Sequence, residues 1–121
     1  MPSNKISVQS AKAKGRRLQQ WTRDEVLKNS KGLDLSDVRS TSMGAGGEDI
    51  QLSSAARKQW PMSFECKAKK AFAFYKDYEQ ATDNCPEGSE PVLICKGDRK
   101  KPMAIVDAEW FLKEFKCKSG K

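Results

Sequence analysis

The sequence predicts one α/β domain in which helices flank a mixed central sheet of about five strands. Its 121 residues suffice for a single two-layer core and are too few for separate catalytic and substrate domains. Apolar residues recur with helical spacing in three segments, and short alternating or continuous apolar runs lie between them. The predicted order of elements is α-β-β-β-α-β-β-α. We assign residues 1–10 to a flexible N-terminal tail, 11–117 to the domain and 118–121 to a basic C-terminal tail.

The first predicted helix spans residues 11–29. Leu18, Trp21 and Val26 share one face of it, and Ser10 offers an N-cap. The first 31 residues contain eight basic residues against two acidic ones, so this is the most basic region of the chain. A basic amphipathic helix is either a solvated surface or a contact for a polyanion.

The predicted strands of the first half place polar side chains on one common surface. In order, the segments are a strand at residues 38–41, a glycine-rich turn at 43–47, a strand at 48–52, a hairpin loop at 53–61 and a partner strand at 62–67. Successive side chains of a strand alternate between its faces, so Asp49 and Gln51 point away from the core. The same alternation turns Glu65 and Lys67 to the face opposite Cys66, which points inward.

The second half is predicted to add a helix, a hairpin and a final helix. The first of these helices covers residues 68–81, and the last begins after Asp107 as its N-cap. Their inward faces hold Ala71, Phe74, Tyr75 and Tyr78 in one helix and Ala108, Phe111, Leu112 and Phe115 in the other. Residues 91–96 and 103–106 are apolar strands, and the basic turn between them predicts a hairpin.

The composition limits the partners and the location. The 23 Lys and Arg residues exceed the 16 Asp and Glu residues, and the net charge of +7 favours a polyanion such as nucleic acid. Charge alone fits a membrane surface as well. Because no run of 18 apolar residues and no signal-peptide core is found, we expect no membrane insertion and a cytoplasmic location, in the host cytoplasm if the protein is viral. The absence of histidine and of any C-x-x-C pair speaks against zinc and favours reduced thiols.

Asp49, Glu65 and Lys67 form the pattern with the most chemical meaning. Two carboxylates supply the hard oxygen ligands that Mg²⁺ or Mn²⁺ prefers, and the Cys66 backbone carbonyl is a further oxygen. Lys67 lies beside Glu65 on one strand face, where its cation would steady charge on a phosphate. The set is sufficient for magnesium-dependent phosphodiester hydrolysis. The alternative is a basic α/β binding domain whose polar surface is merely solvated.

Two stretches, GGEDI and SFECK, resemble the bipartite signature of the PD-(D/E)xK nuclease superfamily. More narrowly, KGRRLQ, VRSTSMGAGGEDI and FECK are similar to the small Holliday-junction resolvase-like endonucleases of archaea and bacteriophages. The resemblance covers residues 14–67. It implies a restriction-endonuclease-like core, with Asp49 and Glu65 as metal ligands and Lys67 as the catalytic lysine. Glu48 departs from the pattern, because the family usually has proline before this aspartate.

The resemblance also implies neutral helpers around the carboxylates. Gln19 occupies the position at which the family's first helix usually offers a glutamate, so it joins the catalytic set as a neutral residue and makes the site less anionic. Gln80 resembles a glutamine that some relatives present near the site. Gln51, which shares a strand face with Asp49, could support the ligands in the same way.

Candidate DNA contacts come from three parts of the chain. Arg39, Ser40 and Ser42 resemble a cluster that holds phosphates beside the site in resolvases. Basic side chains of the first helix, the hairpin loop and the late turn are candidates for phosphate contacts. They are Lys14, Arg16, Arg17, Arg57, Lys58, Arg99, Lys100 and Lys101.

We therefore expect a metal-dependent DNA endonuclease that hydrolyses phosphodiester bonds in branched DNA, as recombination requires. Resolving a junction means nicking two strands in step, so a symmetric homodimer is expected, with apolar side chains of the late helices at its interface. The same fold serves nicking, homing and restriction endonucleases. A non-catalytic basic DNA-binding module is the alternative from another class, and such a module would tolerate Glu65→Ala.

Overall fold

The computed structural model describes residues 8–41 and 46–116 and confirms the α/β class. In this part of the chain four helices and five strands follow one another. They are α1 (Val8–Lys28), β1 (Val38–Ser40), β2 (Ile50–Leu52), α2 (Ser54–Gln59), β3 (Met62–Ala68), α3 (Phe74–Asp83), β4 (Glu90–Lys96), β5 (Met103–Ile105) and α4 (Ala108–Lys116). Helix α2 is an addition to the predicted order. Ser42 and the predicted C-terminal tail lie outside the described residues.

Helix α1 begins earlier than predicted, at Val8, so Ser10 lies within the helix and is not its N-cap. Trp21, predicted to face the core, is 42% exposed. The buried positions are Leu18, Gln19, Thr22 and Val26. This face is broader than a one-sided pattern predicts because α1 packs against both β1 and β3.

The five strands form two sheets rather than the single sheet that the sequence predicts, as far as the described residues show. Strands β1 and β2 make an antiparallel pair. In the second sheet β3 pairs with β4 in parallel and β4 pairs with β5 in antiparallel, so this sheet is mixed. The predicted hairpin between β4 and β5 is confirmed.

The predicted hairpin between β2 and β3 is wrong because helix α2 occupies the connection. Residues 54–59 are strong helix formers apart from the first, and Ser53 caps them: its side-chain oxygen accepts a hydrogen bond from the Ala56 N–H. The chain thus turns away from β2, and β3 joins β4 instead.

The faces of the two late helices also differ from the prediction. Helix α3 begins at Phe74 because β3 continues through Ala68, and its buried residues are Asp77 and Ala81. The predicted inward residues Phe74 and Tyr75 are exposed. Helix α4 has no buried residue, although Asp107 caps it as predicted by accepting a hydrogen bond from the Trp110 N–H at 2.9 Å.

The core lies where α1 meets both sheets. Val38 and Ile50 are its largest fully buried side chains, and each contributes about 1.5–3 kcal/mol by leaving water. Leu93 is also fully buried, outside this cluster. Strand β3 is covered on both faces, by α1 and by α3. No helix among the described residues combines the length and apolar character that crossing a membrane requires.

Candidate metal and active site at the edge of β3

Asp49 connects the two sheets. Gly47, two residues before it, has a φ of 86°, and the Asp49 backbone carbonyl accepts a hydrogen bond from the Thr41 N–H at 2.8 Å. The prediction that the Asp49 carboxylate points to solvent is wrong. Its Oδ2 accepts a hydrogen bond from the Cys66 N–H at 2.8 Å, so Asp49 is fixed against the middle of β3.

The Cys66 backbone presents a second oxygen at the same place. Strand β3 is an edge strand of its sheet, and β4 occupies its other side. The N–H and C=O of one residue in an extended strand point to the same side, so the Cys66 carbonyl leaves β3 at the edge where Asp49 sits. The predicted backbone ligand therefore lies beside the first predicted carboxylate.

Glu65 is the second carboxylate and is only 4% exposed. Its Oε1 accepts a hydrogen bond from Asn84 Nδ2 at 3.1 Å, and its Oε2 lies 3.8 Å from Lys67 Nζ. Asn84 follows α3, so the polar face of β3, which the sequence predicts to be open, is covered by this helix. Glu65 and Lys67 share the predicted face, but Glu65 is buried there and Lys67 is half-buried.

Burial raises the proton affinity of both carboxylates, and repulsion by Asp49 adds to the effect at Glu65. Burial raises the pKa of Asp49, against the opposing effects of the Cys66 hydrogen bond and the Lys67 charge. Burial also raises the pKa of Glu65, and the negative charge of Asp49 raises it further, while Asn84 and Lys67 oppose this. Two desolvated carboxylates, one of which raises the proton affinity of the other, form a site that a cation would stabilise.

The donor set fits a hard cation with few protein ligands. The described chain contains no group of three or more His, Cys, Asp or Glu residues that could hold a metal ion. Mg²⁺ usually binds through one or two carboxylates and keeps several waters, and Asp49, Glu65 and the Cys66 carbonyl are donors of the chemical type that it takes. Burial raises the pKa of the Cys66 thiol to about 12, so its sulfur stays protonated and is a poor ligand.

Gln19 is buried and supports the strand next to the site. Its Oε1 accepts a hydrogen bond from Ser40 Oγ at 3.0 Å, which fastens α1 to β1. Ser40 pairs with Ile50, the residue after Asp49. Gln19 therefore helps to fix the segment that carries Asp49. The Ser40 hydroxyl, a predicted phosphate contact, is used in this hydrogen bond.

Gln51 and Arg39 oppose each other across β1 and β2, and both are exposed. Gln80 is exposed on α3, one helical turn before Asn84. Neither glutamine makes a side-chain hydrogen bond among the described residues, whereas Asn84 binds Glu65 directly. Asn84 is the functional candidate that the sequence did not reveal. The sequence held one signal for Asn84: it lies four residues after Gln80, so a helix would place both residues on the same face.

Most of the predicted DNA contacts have accessible cations. Those that are exposed are Arg16, Arg17, Arg39, Lys58, Arg99, Lys100 and Lys101. The Arg57 guanidinium is occupied within the protein and does not offer a free cation to DNA. It donates hydrogen bonds to both carboxylate oxygens of Glu48, at 3.0 and 2.7 Å, and to the Met62 carbonyl at 2.9 Å. Lys14 lies 2.7 Å from Asp98.

A second buried carboxylate lies near Glu65. Asp77 Oδ1 accepts a hydrogen bond from Lys69 Nζ at 2.8 Å, while its Oδ2 is buried without a hydrogen-bond partner. Its negative charge contributes to raising the pKa of Glu65. Asp77 therefore adds to the negative potential around the site, and the helical spacing of α3 gave no sign of its burial.

Comparison with protein-family models, curated proteins and solved structures finds no match for the chain. The interpretation of the site therefore depends on its own geometry.

We expect Glu65→Gln to stabilise the protein at neutral pH. Folding raises the pKa of the Glu65 carboxyl group above its ordinary value of about 4. The folded state therefore loses stability as the pH rises from that ordinary value through the raised pKa. The neutral amide lacks this penalty and can still accept the Asn84 hydrogen bond. Urea unfolding without metal should therefore give Glu65→Gln a higher free energy of unfolding than the wild type at pH 8. The difference should shrink as the pH falls and be absent near pH 4.

Glu79→Gln is the matched control, because Glu79 is exposed on the same helix as the residues that cover Glu65. It removes the same charge without relieving burial, so its effect should be small at every pH. A Glu65→Gln variant that is less stable than the wild type at pH 8, or equally stabilised at pH 4 and 8, would contradict the electrostatic description.

Proposed function

We propose that this protein is a magnesium-dependent endonuclease that hydrolyses phosphodiester bonds in branched or otherwise structured DNA. The proposal includes a restriction-endonuclease-like core and membership of the PD-(D/E)xK superfamily, with Mn²⁺ as a possible substitute for Mg²⁺. A cytoplasmic location belongs to the same proposal. One observation carries it: Asp49, fixed on the Cys66 N–H of β3, lies close enough to the buried Glu65 and to Lys67 for their charges to act on one another.

Asp49, Glu65 and the Cys66 carbonyl would hold the metal ion. When bound, Mg²⁺ supplies positive charge to a phosphate oxygen and lowers the pKa of water. In hydrolysis the oxygen of one water bonds to phosphorus, the bond to the leaving oxygen breaks, and a proton ends on that leaving oxygen. The protein's own residues must orient these groups and supply charge where it develops.

Lys67 is the residue best placed to contact the phosphate. Its ammonium group lies 3.8 Å from Glu65 and within the field of Asp49, so it remains beside the carboxylates. A fixed cation at this position would stabilise negative charge on the phosphate as the bond to phosphorus forms. Asn84 acts on Glu65, because its hydrogen bond to Oε1 leaves Oε2 on the side of Lys67. Asn84 is therefore a positioning residue.

The accessible cations would hold the DNA backbone in register with this site. Arg16 and Arg17 lie on α1, and Lys100 and Lys101 lie on the turn between β4 and β5. Contacts to phosphates position a nucleic acid without reading its sequence. Such binding suits an enzyme that acts on the shape of a junction.

A non-catalytic DNA-binding module is the second candidate function. The observation that favours it is the abundance of accessible cations outside the carboxylate site, together with the net charge of +7. Nicking, homing and restriction-type cleavage remain alternatives within the enzyme class, because the carboxylate site would serve all of them.

We expect Glu65→Gln and Lys67→Ala to reduce cleavage at least about 100-fold, since each removes charge that acts on the reacting phosphate or its metal. The measurement compares a four-way junction, a flap and a linear duplex with Mg²⁺ and then Mn²⁺. Glu79→Gln and Lys76→Ala are controls of matched chemistry, because both residues are exposed on α3. They should cut like the wild type.

The outcomes separate the candidate functions. Binding without any cleavage by the wild type, in either metal, would leave the non-catalytic module. Equal cleavage of the junction and the linear duplex would favour a nicking or restriction-type enzyme over a resolvase. Normal cleavage by both site variants would remove the carboxylates and Lys67 from the mechanism.

The proposed enzyme acts as a symmetric homodimer that nicks two strands. Helix α4 supports this, because its apolar side chains are not covered by the described part of the chain: Leu112 is 64% exposed and Phe111 is 44% exposed. Met103 on the edge strand β5 is exposed as well, at 56%. A second copy packed on α4 would bury the apolar side chains of that helix and place two sites in one particle.

Leu112→Asp should convert the dimer to a monomer without unfolding it, because an exposed position tolerates a charge in the monomer. Sedimentation equilibrium gives the test, with 13.6 kDa as the mass of one chain. Lys113→Asp, at the exposed neighbouring position, is the control and should remain dimeric. A wild-type protein that stays monomeric at every concentration would contradict the assignment.

A further inference from the structure

A cavity of about 940 Å³ lies on the other face of β3 from the carboxylate site. Ala68 lines it and directly follows Lys67 in the chain. Because neighbouring strand residues point to opposite faces, the cavity begins one residue beyond the site, on the side of α1. Its volume is in the range that holds a small organic ligand or one unit of a polymer.

The charge of the cavity wall selects an anion. Five cationic residues line it: Lys14, Arg17, Lys70, Lys96 and Arg99. The acidic residue among the described lining is Asp98, which binds Lys14 at 2.7 Å. The hydrogen bond from Lys14 lowers the pKa of Asp98, so the carboxylate stays charged and fixes Lys14 between α1 and the turn after β4. The other four cationic residues of the wall are not paired with Asp98 in this way.

Trp21 gives the cavity a flat apolar surface among these charges. It lines the cavity and is 42% exposed, although it lies on the helix that forms the core. Leu18 and Pro102 add apolar wall on either side. An indole face beside several cations recognises a ligand that is both aromatic and anionic, and a nucleotide has both properties.

Arg99 is held toward the cavity by a strained turn. Its φ is 59°, in the left-handed region that non-glycine residues seldom adopt. The turn is closed by a hydrogen bond from the Lys100 N–H to the Gly97 carbonyl at 3.1 Å. Strain of this kind often accompanies a residue whose position serves a ligand.

We propose that this cavity binds an unpaired nucleotide of single-stranded DNA, with its base stacked on Trp21 and its phosphates held by the surrounding cations. A base inside a duplex cannot present its face to an indole, so the cavity selects strands that have left the duplex. The inference rests on the proposed function, because it names the feature of branched DNA that the enzyme would recognise. The unpaired strand would round the end of β3 to reach Lys67.

The test measures binding in EDTA, where no metal-dependent cleavage occurs. Fluorescence anisotropy follows a labelled 12-nucleotide oligo-dT, and a blunt 12-bp duplex serves as the comparison. Trp21→Ala should weaken oligo-dT binding about tenfold, within the range for losing one base stack, and change duplex binding less than about twofold. Trp21→Phe should restore most of the affinity because it keeps an aromatic face.

Charge variants provide tests that a folding defect cannot imitate. Asp98→Asn should raise oligo-dT affinity severalfold, because it removes the carboxylate that competes with the phosphates for Lys14. Arg99→Glu should lower it by more than Lys28→Glu, which makes the same charge change at the exposed far end of α1.

The inference is overturned if Trp21→Ala leaves oligo-dT affinity unchanged, or if it weakens duplex binding equally. It is also overturned if the mononucleotide dTMP binds as tightly as oligo-dT, because the cavity would then serve a free nucleotide. Failure of the proposed function is distinguishable: a protein that cuts no DNA can still show Trp21-dependent binding. Conversely, normal junction cleavage with unchanged oligo-dT binding in Trp21→Ala refutes the cavity alone.

Discussion

The hydrogen bond from the Cys66 N–H to the Asp49 carboxylate is the contact on which the candidate site depends. It joins the segment before β2 to the edge of β3 and so couples two sheets that share no ladder among the described residues. This bond fixes a carboxylate beside the edge of β3, close enough to Glu65 for the charge of Asp49 to raise the pKa of Glu65. The charge of Lys67 opposes the rise in the pKa of both carboxyl groups.

Burial makes this arrangement unstable in one specific way. Two carboxylates held away from water repel each other, and Lys67 and Asn84 offset only part of the cost, since the pKa of each carboxyl remains raised. A folded protein keeps such a cluster where another charge completes it or where a function requires it. The same strand has a cavity lined by cationic residues on its other face, so β3 would separate the proposed cation site from the proposed nucleotide site.

Strand alternation and helix spacing in the sequence predicted where the strands and helices lie better than they predicted which strands pair and which helix faces are buried. The strands near residues 38, 50, 64, 93 and 104 are all present, and Glu65 and Lys67 share a face as predicted. The pairing of β2 was not predictable, because the helical preference of residues 54–59 competes with a hairpin and register is fixed by distant packing. The burial of Asp77 and the exposure of Tyr75 reverse the apolar pattern of α3, and Lys69 pairs with the buried Asp77.

The central claim is that Asp49 and Glu65 together hold one divalent cation. Isothermal titration of the metal-free protein with Mg²⁺ tests it directly, in buffers of different ionisation enthalpy so that released protons are counted. We expect one site, with proton release that increases as pH falls toward the raised carboxyl pKa values, and loss of binding in Asp49→Asn and Glu65→Gln but not in Glu79→Gln. Wild-type protein that binds no Mg²⁺, or binds it equally well after both site substitutions, would contradict the account.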